Sequence, residues 1–196
     1  MKIISIFLAV LAGIFLFGIF SYNRLIGLSQ NVDKQWAQVQ SVYQRRYDLI
    51  PNLVNTVSGA ANFEKSTFME VTQARASVGQ ININSSAAPS TAQQLAEFDK
   101  AQGNLTSSLS RLLAVVENYP DLKASANFQT LQAQLEGSEN RIAVERMRFN
   151  DAVKSYNTAI KTIPGVFFAG VLRYQERPYF SSTSGAETSP KVEFKF

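Results

Sequence analysis

The sequence predicts an all-α protein, in which an N-terminal transmembrane helix runs into an antiparallel helical bundle of long helices and an extended C-terminal tail follows. The N-terminus is an uncharged apolar run, and apolar residues then recur at three-, four- and seven-residue spacings along most of the chain. Few glycines and prolines precede residue 160, which favours helices over a turn-rich β fold. The corresponding divisions are an anchor at 1–22, a bundle at 23–164 and a tail at 165–196.

The anchor is the run IISIFLAVLAGIFLFGIFS at residues 3–21, which contains no charged residue. At about 1.5 Å per residue, a helix of this length just spans a hydrocarbon core of about 30 Å. The alternative is a secretory signal peptide, but its apolar core is shorter, about 7–15 residues, and it ends in a small-x-small cleavage site. We therefore expect a retained single-pass anchor in contact with membrane lipids. The flanking charges favour only slightly a cytoplasmic N-terminus and an extracytoplasmic body.

The first helix of the bundle is expected to continue from the anchor without a break. Its apolar stripe consists of Leu25, Val32, Trp36, Val39, Tyr43 and Ile50. Pro51 follows inside the same pattern, and a proline in a helix interior removes a hydrogen bond and clashes one turn back, so we expect a kink or a restart there. The spacing then continues through Val54, Val57, Ala61, Phe68, Val71 and Val78, and the second helix should end near Gly79.

A polar linker at residues 80–90 precedes the third helix. Ser90 is a candidate N-cap, with Gln93 as its capping-box partner. The apolar face of this helix is formed by Leu95, Phe98, Ala101, Leu105, Leu109, Leu112 and Val116. Pro120 should end the helix and open a short turn at residues 119–125.

The last long helix should begin near Ser125 or Ala126 and stop at Pro164. Its seam repeats every seven residues, with Leu131 as one intermediate position. The seam residues are Phe128, Leu131, Leu135, Ile142, Phe149, Tyr156 and Ile163. The tail at 165–196 contains Gly, Pro and Ser together with aromatic residues that lack helical spacing, so we expect an extended or loosely packed segment. Its ending KVEFKF alternates like a short strand. The tail either lies over the bundle surface or bridges to a partner or a second subunit.

Composition excludes several chemistries. The chain contains no cysteine and no histidine, so it cannot by itself form disulfides, thiolate nucleophiles, Ser-His-Asp triads or His/Cys metal sites. It has no glycine-rich phosphate loop and no carboxylate cluster of a calcium loop. The net charge of +4 is scattered rather than gathered in a basic run, which argues against nucleic-acid binding. We expect no cofactor and no metal.

Four charged residues fall on the helical seams, where apolar residues are expected: Arg46, Glu64, Arg75 and Glu145. Charges in a seam are costly unless they are paired, so we expect Glu64 and Glu145 to face Arg46 and Arg75 in a buried ion-pair network. Such a network more often fixes helix register than performs chemistry. The alternatives are ligand or partner binding, or hydrolysis by the two carboxylates as a general acid–base pair. Arginine neighbours would keep the carboxylates ionised, which does not suit a general acid, so we expect no enzyme.

The chain resembles the LemA family over nearly its whole length. The matching residues are Tyr22-Asn23, Val32, Trp36, Val39-Gln40, QRRYDLIPNLV at 44–54, Thr56-Val57, Gly59, Ala61, Glu64-Lys65, VTQARA at 71–76, Leu135-Glu136, ENRI at 139–142, Arg146, Asn150, Val153, Tyr156-Asn157 and PKV at 190–192. Ala60 and Phe63 depart from it, because the family commonly has tyrosine and histidine there. The resemblance implies an anchored antiparallel helical bundle in the bacterial cell envelope, without an established enzymatic activity.

Together these observations predict a scaffold that self-assembles at the bacterial inner membrane as a homo-oligomer. The alternative is an adaptor for an envelope protease or peptide partner in envelope stress handling, because genes of the resembled family often neighbour genes of membrane proteases. Trp36 is expected to be a core anchor rather than a ligand platform. The candidate structural or interaction residues are Trp36, Arg45, Arg46, Asp48, Pro51, Asn52, Glu64, Arg75, Arg141, Glu145, Arg146 and Asn150.

Overall fold

The computed structural model describes residues 2–59, 65–80 and 87–181, with the backbone alone for residue 2. Within these ranges the chain forms helices and connecting segments and no β-strand. The helices are α1 (Lys2–Ser58), α2 (Lys65–Gln80), α3 (Ala92–Val116), α4 (Pro120–Lys123), α5 (Ala126–Lys161) and α6 (Gly165–Leu172). The predicted all-α class is confirmed. Glu64 and the predicted strand at 191–196 lie outside the described residues.

Helix α1 is 57 residues long and continues unbroken from the apolar run into the bundle. At 1.5 Å per residue it is about 85 Å long. Pro51 lies inside it, so the predicted restart at Pro51 is wrong, and the helix instead ends at Ser58. Ile50 and Leu53 are both buried on either side of the proline. Packing of this face offsets the single hydrogen bond that the proline removes.

Helices α1 and α5 run antiparallel and form the main axis of the bundle. Arg46 on α1 contacts Glu139 on α5, whereas Trp36, nearer the N-terminus, contacts Phe149, which lies further along α5. Helices α2 and α3 pack against each other at the end of the bundle that is far from the anchor. The predicted antiparallel bundle of long helices is therefore confirmed.

The predicted seams are buried in two apolar clusters. The anchor-proximal cluster includes Leu25, Val32, Trp36, Val39, Tyr43, Leu95, Phe98, Ile142, Phe149 and Tyr156. The distal cluster includes Ile50, Leu53, Val57, Val71, Val78, Leu105, Leu109, Leu112, Val116, Phe128 and Leu135. One predicted seam residue, Ile163, is 78% exposed, because α5 ends at Lys161 and Ile160 is the last residue of the seam that is buried.

Two of the helix starts are close to their predicted positions. Thr91 is the N-cap of α3, with Gln94 completing a capping box, so the predicted pair Ser90 and Gln93 is wrong by one residue. Helix α5 begins at Ala126, as predicted, and its N-cap Ser125 accepts a hydrogen bond from the backbone N–H of Phe128. Residues Pro120–Lys123, predicted as part of a turn, form the single helical turn α4.

The beginning of the predicted tail is helical rather than extended. Its first eight residues, Gly165–Leu172, form α6, which packs against α1 and α5. Gly165 makes this approach possible, because a Cβ atom there would lie 1.9 Å from the carbonyl oxygen of Ala159. The apolar run GVFFAGVL has an apolar surface to fold onto, which the sequence pattern alone does not reveal. The chain from residue 174 to residue 181 is extended along the bundle.

Candidate functional site

A buried arginine joins three helices in the middle of the bundle. Arg46 is 1% exposed. Its guanidinium donates to Glu139 Oε1 on α5 at 2.7 Å, to Thr106 Oγ1 on α3 at 2.8 Å, and to Gln102 Oε1 on α3. It also lies 5.1 Å from the ring centre of Tyr43. The charge is thus compensated by one carboxylate and two neutral acceptors at the terminal nitrogens, whereas the buried Nε has no hydrogen-bond partner among the described residues.

An open cleft of about 730 Å³ lies beside this arginine, between α3 and α5. Arg146 forms a two-pronged ion pair across it with Asp99, at 2.8 Å and 3.3 Å. Tyr43 also lines the cleft, and burial raises the pKa of its hydroxyl, which the nearby guanidinium groups of Arg146 and Arg46 partly oppose. The lining thus combines both signs of charge, and each of these arginines is already paired within the chain.

Two asparagines of α5 hold the extended C-terminal segment by its main chain. Asn150 Oδ1 accepts from the backbone N–H of Phe180 at 2.9 Å, and its Nδ2 donates to the carbonyl of the same residue at 3.0 Å. Asn157 makes the same pair of bonds with Arg177, both at 2.9 Å. Because each amide satisfies one backbone donor and one backbone acceptor, the two side chains replace the hydrogen bonds of a neighbouring strand.

Further contacts fix the rest of this segment. Tyr156 donates its hydroxyl to the carbonyl of Gln175 at 3.1 Å, and burial raises the pKa of that hydroxyl. Arg177 donates to the carbonyl of Ala88 at 2.9 Å and lies 4.0 Å from Asp33. The segment thereby connects α5 with α1 and with the residues that precede α3.

Phe180 anchors the segment in an aromatic pocket. It is 5% exposed, and its ring centre lies 5.4 Å from Phe149, 6.2 Å from Trp36 and 6.4 Å from Phe98. The guanidinium of Arg146 covers the ring at 4.3 Å. Side chains from three helices therefore form a pocket that one aromatic residue of an extended chain fills. Trp36 lies in the core, as predicted.

The predicted ion-pair network is wrong in its pairings. Glu145 pairs with Arg148 at 2.7 Å on the same helix rather than with Arg46 or Arg75. Arg75 stacks on the Tyr47 ring at 3.9 Å and donates to the Tyr47 carbonyl. A residue that lies near a seam can point sideways to the helix flank, where its partner is a neighbour along the same helix. The predicted partner Glu64 lies outside the described residues.

Four of the predicted residues lie on the exposed surface: Arg45, Asp48, Asn52 and Arg141. Asp48 accepts a hydrogen bond from Gln44 one turn earlier, and the carbonyl of Asn52 accepts one from Thr56. Of the predicted residues that the structure describes, it brings together Trp36, Arg46, Arg146 and Asn150. Sequence reasoning missed Gln102, Glu139 and Asn157 as site residues, although Asn157 follows Asn150 by seven positions and Glu139 precedes Arg146 by seven.

Comparison with known proteins identifies the family. The model of the LemA family matches residues 35–194. The chain belongs to the LemA family. It is also 26% identical to the magnetosome protein MamQ 2 of Paramagnetospirillum magneticum over 182 residues, which cover 85% of this chain and 67% of that protein.

Other relatives match this LemA-family chain over at least 71% of its length. The MamQ protein of Magnetospirillum gryphiswaldense is 23% identical over 182 residues, covering 85% of this chain and 67% of that protein. The protein LemA of Metamycoplasma hominis is 24% identical over 140 residues, covering 71% of this chain and 59% of that protein. The apolar stretch of α1 is long enough to cross a membrane. We therefore describe the LemA-family chain as a membrane-associated helical protein.

The polar side chains of this LemA bundle connect its helices to one another and to the C-terminal segment. Within the described ranges, no group of three or more acidic residues is placed to hold a metal ion. Burial raises the pKa of the hydroxyls of Tyr43, Tyr156 and Tyr174. The guanidinium of Arg46 joins three helices. The arrangement fixes helix register and retains an extended peptide segment.

Proposed function

We propose that the chain is a non-enzymatic scaffold of the bacterial cell envelope that assembles into homo-oligomers at the inner membrane. The observation that carries this proposal is the unbroken helix α1, which runs from the apolar stretch to the distal core over 57 residues. A continuous helix connects the anchor to the bundle without a flexible linker. The orientation of the bundle is then tied to that of the anchor, which suits a component of an ordered assembly.

The use of charge in the bundle supports a structural role. Arg46 donates to Glu139. Arg146 donates to Asp99 and to a carbonyl of the C-terminal segment. Similarity to MamQ and LemA proteins supports membrane association. The proposal includes an extracytoplasmic body, no cofactor and no nucleic-acid partner.

The mass of the full-length protein in mild detergent tests this proposal, together with negative-stain images. A large assembly of regular shape is expected. A monodisperse monomer at every protein concentration would contradict the scaffold. The enzymatic alternative rests on the carboxylates of Glu64 and Glu145. If the protein is a scaffold, Glu64→Gln and Glu145→Gln variants should have the same phenotype as the unaltered chain. Loss of function in a variant that still folds would point to catalysis.

One observation favours an adaptor as the second candidate function. The bundle holds Tyr174–Ser181 through main-chain hydrogen bonds and one aromatic pocket. A partner peptide with an aromatic residue at the right position could make the same contacts, since main-chain bonds do not depend on sequence.

A synthetic peptide of sequence YQERPYFS tests the adaptor. In a full-length Phe180→Ala variant, the C-terminal segment no longer has the aromatic side chain that fills the pocket. The peptide should bind to this variant, and a scrambled peptide should not. Adding Asn150→Ala should weaken this binding, whereas Asn52→Ala on the exposed surface of α1 should leave it unchanged. Absence of binding by the matching peptide would argue against a peptide adaptor.

A further inference from the structure

Helix α6 leaves a large apolar surface open to its surroundings. It carries no charged residue, and its sequence is GVFFAGVL. Phe167 is 67% exposed and Val171 is 82% exposed, and Ile163 just before the helix is 78% exposed. Gly165 and Ala169 on the opposite face are buried against the bundle. A short helix with one face packed and the other apolar and open requires a covering that is not water.

The position of α6 indicates what covers it. The Phe168 ring packs at Gly18 of α1, 3.4 Å from where a Cβ atom would lie, within the last residues of the apolar run. At the start of α6, Gly165 faces Leu25. The α1 residues around Gly18 are themselves open, with Phe17 55% and Phe20 68% exposed. The apolar surface of α6 therefore continues that of the anchor at the level where the anchor ends.

The charges near α6 fit the same surroundings. Arg173 follows the last turn of α6, and Arg24 lies one turn beyond the apolar run of α1, beside Pro164 and Gly165. Both arginine side chains are exposed. Cationic side chains at the border of an apolar surface suit the phosphate groups of a bilayer interface.

We propose that α6 is a second membrane contact, which inserts the side chains of Phe167 and Val171 among the acyl chains of the leaflet next to the bundle. The partner is the phospholipid bilayer itself. The proposal rests on insertion of α1, the membrane association already described. Helix α6 then attaches the bundle to the membrane at a second point beside α1. Two points of attachment prevent the bundle from rotating freely about the axis of the anchor.

The absence of cysteine from the chain makes a direct test possible. Single cysteines are introduced by Phe167→Cys and Val171→Cys, labelled with a nitroxide, and studied in full-length protein in vesicles of phosphatidylcholine and phosphatidylglycerol. Leu11→Cys reports on the anchor, and Met69→Cys is the matched control, an apolar residue of α2 that is 55% exposed at the distal end. Accessibility to oxygen, which concentrates in lipid, is compared with accessibility to a water-soluble nickel complex.

Labels at 167 and 171 should be accessible to oxygen and protected from nickel by about tenfold relative to the label at 69. Nickel accessibility equal to that at 69, with the label at 11 still in lipid, would overturn the proposal while leaving the anchor intact. Protection from both reagents, with dipolar broadening between labels, would overturn it in favour of a second copy of the chain. If the label at 11 is in water, the membrane association itself fails.

Discussion

Arg46 on α1 and Gln102 on α3 are the polar members of two apolar columns that face each other, and the guanidinium of Arg46 donates to the amide oxygen of Gln102. The first column is Leu25, Val32, Val39, Arg46 and Leu53, and the second is Leu95, Gln102, Leu109 and Val116, each with a spacing of seven. All nine side chains are buried. The two exceptions to the apolar pattern therefore meet inside the bundle.

This meeting fixes the alignment of the helices. A slip of α3 by one heptad, about 10 Å along a helix, would place leucine against the guanidinium of Arg46. The guanidinium would lose Gln102 and Thr106 and keep the carboxylate of Glu139 on α5. The apolar side chains of the columns are similar to one another and would tolerate such a slip far better. The Arg46–Gln102 pair thus discriminates between alignments that the apolar residues alone leave nearly equal.

Replacing Arg46 by alanine should lower the free energy of unfolding by about 3 kcal/mol. The change leaves Gln102 without its donor in the interior, although Glu139, whose side chain is 38% exposed, can be hydrated. The measurement is denaturant unfolding of the full-length protein in detergent, followed by circular dichroism.

Two variants control this measurement. Arg45→Ala removes the same charge from the exposed neighbour and should change the free energy of unfolding by less than about 0.5 kcal/mol. The double variant Arg46→Met, Gln102→Leu should recover most of the lost stability, because it replaces both polar partners by apolar side chains of similar size. If the double variant is as unstable as Arg46→Ala, the loss does not come from the unpaired amide but from the contacts of Arg46 with Glu139 and Thr106.

The period of the apolar residues explains why the fold was predictable. A repeat of seven over long windows predicts long helices with one buried face, and the structure buries those residues. The same repeat locates Arg46, and would have located Gln102, because both interrupt a column. The repeat does not reveal in which direction a side chain near the seam points. Glu145 lies near the seam of α5 but pairs with Arg148 on the same helix.

The parts of the site that depend on tertiary contact were not predictable from the pattern. Asn150 and Asn157 bind backbone atoms, which leave no trace in the sequence of the segment they hold. Helix α6 is apolar along its whole length, so its sequence has no helical spacing of polar and apolar residues, although Gly165 and Ala169 pack against the bundle. The restart predicted at Pro51 was also wrong, because packing of α1 outweighs one missing hydrogen bond.

Removing either asparagine side chain should release one part of the C-terminal segment. Asn150→Ala should raise the hydrogen-exchange rate of the Phe180 amide about thirtyfold, since each lost hydrogen bond contributes about 1 kcal/mol and two are lost. Asn157→Ala should act in the same way on the Arg177 amide. Hydrogen exchange of the full-length protein, resolved by fragmentation, measures both rates.

The specificity of the two asparagine variants provides the control. Each should affect its own amide more than the other, and Asn52→Ala on exposed α1 should affect neither. Equal acceleration at both amides in both variants would show that the segment opens as one unit. Unchanged rates in both would mean that the aromatic pocket alone retains the segment.

Phe180→Ala should expose Trp36 without unfolding the bundle. The Phe180 ring lies 6.2 Å from Trp36, the sole tryptophan of the chain, so fluorescence excited selectively from tryptophan reports on this pocket. Emission should shift to longer wavelength as water reaches the indole. Truncating a fully buried phenylalanine to alanine usually costs about 3–5 kcal/mol of stability. The fall in melting temperature should be smaller than that cost implies, because the segment can open locally while the bundle stays folded. Tyr179→Ala, at a neighbouring residue that is 46% exposed, should leave emission unchanged, and the same shift in that variant would implicate the whole segment rather than the ring.

Alkaline pH should destabilise the bundle through Tyr43. Burial raises the pKa of its hydroxyl above the ordinary value of 10.0, so the folded state holds the phenolic proton more tightly than the unfolded state does. The stability that this difference contributes is present below pH 10 and is lost as the pH rises towards the folded pKa, at up to about 1.4 kcal/mol per pH unit.

Tyr43→Phe cannot ionise, so its free energy of unfolding should fall less steeply above pH 10. Comparing slopes rather than absolute stabilities separates ionisation from the packing effect of the lost hydroxyl. An identical slope in Tyr43→Phe would show that Tyr43 ionises as readily in the bundle as in the unfolded chain.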